Sequence, residues 1–144
     1  MAGDSIIQAF LDSYQRAFEA FDAAAIVDQF CYPCQITSDA GEITVTIVPD
    51  REAWIPQIER LVGTYRAIGV HTAVQVGLRS IELTPRLAQA VVRWRLVDRG
   101  GQQLYEFDAS YTLADLGQGF RISAIAHNEI PQLNALLERL RAHR

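Results

Sequence analysis

A chain of 144 residues with 49% apolar residues, 21% charged residues and a net charge of -4 has the balance of one soluble folded domain over residues 1–144. The acidic balance argues against a broad phosphate-binding surface, and the basic run Arg93, Arg95, Arg99 is offset by Glu106 and Asp108, so no nucleic-acid partner is expected. No apolar stretch approaches the ~20 residues that cross a bilayer, and Met1-Ala2-Gly3-Asp4 lacks a signal peptide's basic start, so the expectation is a cytoplasmic protein of bacterial style with no membrane contact.

Ser5 with Gln8 reads as a capping box opening a first helix. Ile7, Phe10, Tyr14, Phe18 and Phe21 recur at helical steps, with Ile6, Leu11 and Ala17 widening an aromatic face that only something as large as a sheet can cover. Asp22 caps a second helix over 23–30, and Pro33 ends that run. Residues 35–38 and 43–48 are strand-like around the turn Asp39-Ala40-Gly41-Glu42. Asp50 caps a third helix with Trp54, Ile58, Leu61 and Tyr65 on one face; Pro56 should bend it and Gly69 stops it.

Four strands follow, over 71–83, 87–97, 103–114 and 120–128, joined so tightly that they must form an antiparallel meander. Pro131 then opens a closing helix with Leu133, Leu136, Leu137 and Leu140 on one face. Matching Arg95 to Glu106 and Arg93 to Asp108 pairs Leu96 with Tyr105, Trp94 with Phe107 and Val92 with Ala109. One face of the sheet is then apolar and aromatic, the other charged and sign-matched. Extending this register sets Tyr111 against Ile122 inside, and Ser123, Ile125 and His127 outside, unless a bulge turns His127 inward. The mixed outer face suits a homodimer about a two-fold axis, or simply a hydrated surface.

Cys31-Tyr32-Pro33-Cys34 has the spacing of a dithiol redox motif. It follows a helix rather than opening one, however, so the dipole that would activate a thiol is missing. Two small buried thiols are the plainer reading. No second Cys or His pair completes a zinc site, and no metal or other cofactor is expected.

The order of elements, with Tyr14, Ala17, Asp22, Ile26, Val27 and Phe30 spaced as in the opening helices of ketosteroid isomerases, resembles the nuclear transport factor 2-like (cystatin-like cone) superfamily. Phe30 followed by Tyr32-Pro33-Cys34 is similar to an uncharacterised bacterial, SnoaL-like branch. The resemblance implies an α+β cone: a curved antiparallel sheet wrapped round N-terminal helices, with an extra C-terminal helix. It also implies a cavity for an apolar small molecule. Tyr14 matches the isomerase oxyanion donor, whereas the general-base position is Ser38 and the second donor falls near Ser110 or Tyr111, so steroid isomerisation is not implied.

The candidate catalytic residues are therefore Tyr14, Asp39 and His127. Tyr14 would hold a developing oxyanion, and His127, oriented by Glu106 or Glu129, or Asp39 would move a proton. Asp39 serves only if its turn folds over the cavity mouth; otherwise it caps its own backbone. Trp54, Tyr65, Trp94, Phe107 and Tyr111 are the candidate ligand-binding wall, and each also suits an ordinary core. An inward Arg79 would imply an anionic ligand. Two functions remain open: cofactor-free acid–base chemistry on an apolar carbonyl compound as an isomerase, cyclase or lyase, and a non-catalytic dimerisation or ligand-binding module.

Overall fold

A computed structural model describes residues 2–143. The elements are α1 (Ala2–Glu19), α2 (Ala23–Val27), β1 (Phe30–Asp39), β2 (Ile43–Val48), α3 (Arg51–Ile68), β3 (Val70–Thr84), β4 (Leu87–Asp98), β5 (Gln103–Asp115), β6 (Phe120–His127) and α4 (Glu129–Ala142). The strands form a single six-stranded sheet in the order β2-β1-β6-β5-β4-β3. All neighbours are antiparallel except β1 and β6, because β6 returns from the meander to lie beside the first hairpin. This curved open sheet, with helices on its inner face, is the cone expected from the sequence.

Local chemistry sets the helix ends. Asp22 Oδ1 accepts from Ala25 N–H at 3.1 Å and Asp50 Oδ1 from Ala53 N–H at 2.9 Å, each filling a donor that the first helical turn leaves open. Gly69 ends α3 in the left-handed region at φ 87°, where a side chain would be strained. Two expectations need correction. α1 begins at Ala2, so Ser5 lies within the helix and does not cap it. α2 stops at Val27, and Cys31 and Cys34 already belong to β1. α3 runs to Ile68 with Pro56 inside it.

The inner face is built as the charge pairing required. Arg93 pairs with Asp108, Trp94 with Phe107, Arg95 with Glu106, Leu96 with Tyr105 and Val92 with Ala109. Arg93 reaches Glu106 at 2.8 Å and Asp108 at 3.0 Å, and Arg95 reaches Glu106 at 2.7 Å, on the outer face. Inside, Val92, Trp94, Leu96, Tyr105, Phe107 and Ala109 are buried against Ile7, Leu11 and Tyr14 of α1 and Ile58, Val62 and Tyr65 of α3.

The last strand departs from the expected register. Thr112 pairs with Ala124 but Leu113 with Ile122, so one extra residue bulges out of β6. Beyond the bulge the facing inverts. Tyr111 meets Ile125, and His127 lies opposite Ala109 on the inner face, not beside Glu106 outside. Ile125 is buried with it.

Candidate functional site

The cone holds a partly open cavity of about 110 Å³. An apolar void of about 150 Å³ holds benzene, so this one suits a single ring or a short branched chain. Its wall is mainly aromatic and aliphatic: Tyr14 and Phe18 from α1, Trp54, Ile58 and Tyr65 from α3, and Trp94, Phe107 and Tyr111 from the sheet. His127 closes one side, and the half-buried Gln15 and Glu19 supply polar lining from the end of α1.

Glu129 is the polar centre. It is 6% exposed yet lines the cavity, and among the described residues it is the only buried Asp, Glu, His, Lys or Arg. Tyr65 and Tyr105 both donate their phenol protons to Oε2, Tyr105 at 2.8 Å. Burial raises the carboxyl's proton affinity above the usual carboxylate value, and the two phenol bonds, which favour the anion, offset only part of that. Burial of the phenols themselves, and then the neighbouring Glu129, keep Tyr65 and Tyr105 protonated well beyond their ordinary range.

A second polar group stands among the sheet aromatics. Trp94 Nε1–H donates to the Tyr111 hydroxyl at 2.9 Å, so the Tyr111 oxygen is an acceptor there and its own proton remains to be given. The Tyr14 ring meets Tyr111 edge-on, with centroids 5.7 Å apart. Burial first, then the neighbouring Tyr111 and Glu129, hold Tyr14 well above the ordinary phenol range, so it too stays a donor.

His127 is neutral. Burial lowers its proton affinity, and its Nδ1 accepts the Glu129 backbone N–H at 3.2 Å, which puts the ring proton on Nε2. Trp54 differs from Trp94: its indole N–H is buried and meets no acceptor.

Of the residues singled out from sequence, Tyr14, His127, Trp54, Tyr65, Trp94, Phe107 and Tyr111 are brought together around this cavity. Asp39 is not. It is exposed in the β1–β2 turn, where Oδ1 accepts from Gly41 N–H at 3.0 Å, and the turn does not fold over the cavity. Arg79 is exposed opposite Val91 on the outer face, so it offers no cation to a ligand inside. Sequence reasoning named Glu129 only as an orienting neighbour of His127. Its place at the centre depends on the β6 bulge, after which Ile125, His127 and Glu129 alternate inward.

Cys31 and Cys34 are free thiols on β1, and burial pushes the Cys34 thiol up to about 11, opposite to what a reactive cysteine needs. Among the described residues no group of three or more His, Cys, Asp or Glu side chains is placed to hold a metal ion. None of their helices is long and apolar enough to cross a membrane.

Solved structures share this architecture at low identity. A NTF2-like protein of unknown function from Pseudomonas putida superposes with a TM-score of 0.69 at 14% identity, covering 88% of this chain and 86% of its own. A NTF2-like protein with a cystatin-like fold from Novosphingobium aromaticivorans gives 0.68 at 13% identity, covering 94% and 89%. The yeast UBP3-associated protein BRE5 gives 0.63 at 14% identity, covering 85% and 92%. No curated protein sequence matches the chain. The family described as NTF2-like protein (DUF6841) matches residues 4–130, and this chain belongs to it.

Proposed function

We propose that the protein holds a small, largely apolar carbonyl compound in its cavity and moves a proton on it without a cofactor. The reading rests on Glu129, a buried carboxyl at the wall of an apolar chamber whose proton affinity is raised by that burial. A raised pKa makes the carboxylate a stronger base and brings it toward the working pH. Tyr65 and Tyr105 fix Oε2, and Oε1 is left to reach the substrate.

Oε1 takes a proton from the carbon beside the carbonyl. The C–H electron pair becomes the new C=C bond, and negative charge grows on the carbonyl oxygen. The phenol proton of Tyr111 or Tyr14 meets that oxygen, as a preorganised donor in a site without bulk water. Returning the proton from Glu129 to a different carbon gives the isomer and restores the carboxylate. Ser38, where the isomerases carry their base, instead shares a 2.9 Å hydrogen bond with Thr44. Ser38 pairs with His127 across β1 and β6, so Glu129 supplies a carboxyl from the end of the adjoining strand.

The test is conversion of cyclohex-3-enone to its conjugated isomer, followed by ultraviolet absorbance. The wild type is expected to exceed the buffer rate, and Glu129→Gln to lose about 100-fold or more of that acceleration. Binding of single-ring ketones with no acceleration by the wild type would instead favour a non-catalytic ligand-binding module.

We also propose that two copies meet through the outer sheet face. Ile43, Val45 and Ile47 are 65%, 58% and 58% exposed, and their pairing with Asp39, Thr37 and Gln35 sets all three on that face. Arg93, Arg95, Glu106 and Asp108 are already paired within the chain, so the apolar stripe on β2 is the stronger attraction. Sedimentation should give a dimer that Val45→Lys dissociates; a wild-type monomer at high micromolar concentration would remove the idea.

A further inference from the structure

We infer that the Trp54 indole N–H is a second anchor for the ligand, so that the cavity selects a single-ring compound with an uncharged hydrogen-bond acceptor at one end and its proton-transferring group at the other. This builds on the cavity reading above and adds a requirement on the ligand.

Two tryptophans line the chamber and differ in one respect. Trp94 gives its N–H to Tyr111 at 2.9 Å. The Trp54 N–H is buried with no acceptor, and among the described residues it is the only buried side-chain nitrogen or oxygen in that condition. A buried donor without a partner is costly, and native structures rarely keep one except where water or a ligand completes it.

The ring is not free to find a partner by turning. Trp54 is 9% exposed, sits in the first turn of α3 behind the Asp50 cap, and meets Phe30 edge-on with centroids 5.6 Å apart. Phe30 and Ile58, one turn further along α3, carry no side-chain acceptor. Trp54 lines the chamber, so an occupant of the chamber can supply the missing acceptor.

Of the polar groups that line the cavity, Glu129 with Tyr65 stands at the start of α4, and the Trp54 indole N–H on α3 is the one buried group without a partner among the described residues. Among the described residues no Lys or Arg lines the cavity, and both lining carboxyl groups, Glu19 and Glu129, would repel an anion. The acceptor at Trp54 is accordingly an ether, ester or carbonyl oxygen, not a carboxylate or phosphate. The volume of the chamber limits the ligand to about one ring.

A matched pair of probes tests this. 4-Methoxyphenol carries a hydroxyl for Glu129 and an ether oxygen for Trp54, whereas 4-ethylphenol has a methylene group in place of that oxygen. In calorimetric titration the wild type should bind the methoxy compound about five- to tenfold more tightly, the size of one neutral hydrogen bond. Trp54→Phe keeps a ring against Phe30 and should lose that preference while still binding both phenols. The wild-type indole N–H resonance of Trp54, assigned in the wild type by its nuclear Overhauser contacts to the Phe30 ring, should move downfield on saturation with 4-methoxyphenol and stay put with 4-ethylphenol.

Equal binding of both phenols by the wild type, or a preference that survives in Trp54→Phe, overturns the anchor and leaves the cavity reading standing. A Trp54 resonance that ignores 4-methoxyphenol does the same without needing the variant to fold. Failure of both phenols to bind overturns the cavity reading and the anchor together.

Discussion

Replacing Glu129 with Gln separates a chemical role for its carboxyl from a purely structural one through pH. The group is 6% exposed, and its proton affinity is raised in the folded state. A carboxyl with a raised folded pKa contributes its full stability below the unfolded value, near 4.5, and loses it as pH climbs through the folded value. One proton taken up differently by the two states gives a slope of at most about 1.4 kcal/mol per pH unit. In a domain of this size that is roughly 3–5 °C of melting temperature per unit.

Gln has the shape of the protonated acid, its amide oxygen can accept from Tyr65 and Tyr105, and it does not ionise. At pH 4 the two proteins should therefore melt within about 2 °C of each other, whereas the difference should move in favour of Glu129→Gln as the pH rises toward 8. Thermal or urea unfolding at four pH values measures this directly. Curves that stay parallel across the range would refute the raised affinity and, with it, the reason for treating Glu129 as the working base.

His127 carries the opposite sign. Its folded affinity is lowered from a value near 6.5, so the unfolded chain binds the extra proton and stability falls as pH drops below that value; His127→Gln should flatten the acid limb of the same unfolding series. Tyr65→Phe removes one of the two donors to the carboxylate, a charged hydrogen bond worth about 1.5–3 kcal/mol, and should cost more at pH 8 than at pH 4, read from urea midpoints. Cys34 is 1% exposed with its thiol pushed up to about 11, so a disulfide reagent at pH 8 should modify Cys34 only after denaturant is added. Prompt reaction of both thiols in the native protein would revive the redox reading.

The fold was legible because its signals repeat. Three inward pairs between β4 and β5 follow from two outward charge pairs, since a slip of one residue would have set Trp94 and Phe107 among the charges. The aromatic stripe of α1 likewise required a sheet to cover it. The site was legible only in part. Tyr14, Trp54, Tyr65, Trp94, Phe107 and Tyr111 follow from helix and strand periodicity, which says which side chains point inward but not which hydroxyl meets which partner. Glu129 did not follow, because one unpaired residue in β6 reverses the facing of everything after Ser123, and Phe120–His127 carries no glycine or proline to announce it. Asp39 failed for the reverse reason: a local turn consumed its carboxyl, and nothing long-range drew it inward.

Glu129 is also the first residue of α4, and the amide that begins this helix is held by the His127 ring. The terminal helix therefore works as a handle on the chamber. Its grip comes from Leu133 and Leu136, both buried, several residues away from the carboxyl they keep in place. A bulky fusion after His143, or a clipped tail, would loosen those two leucines first and shift the Glu129 carboxyl without altering any residue that lines the cavity.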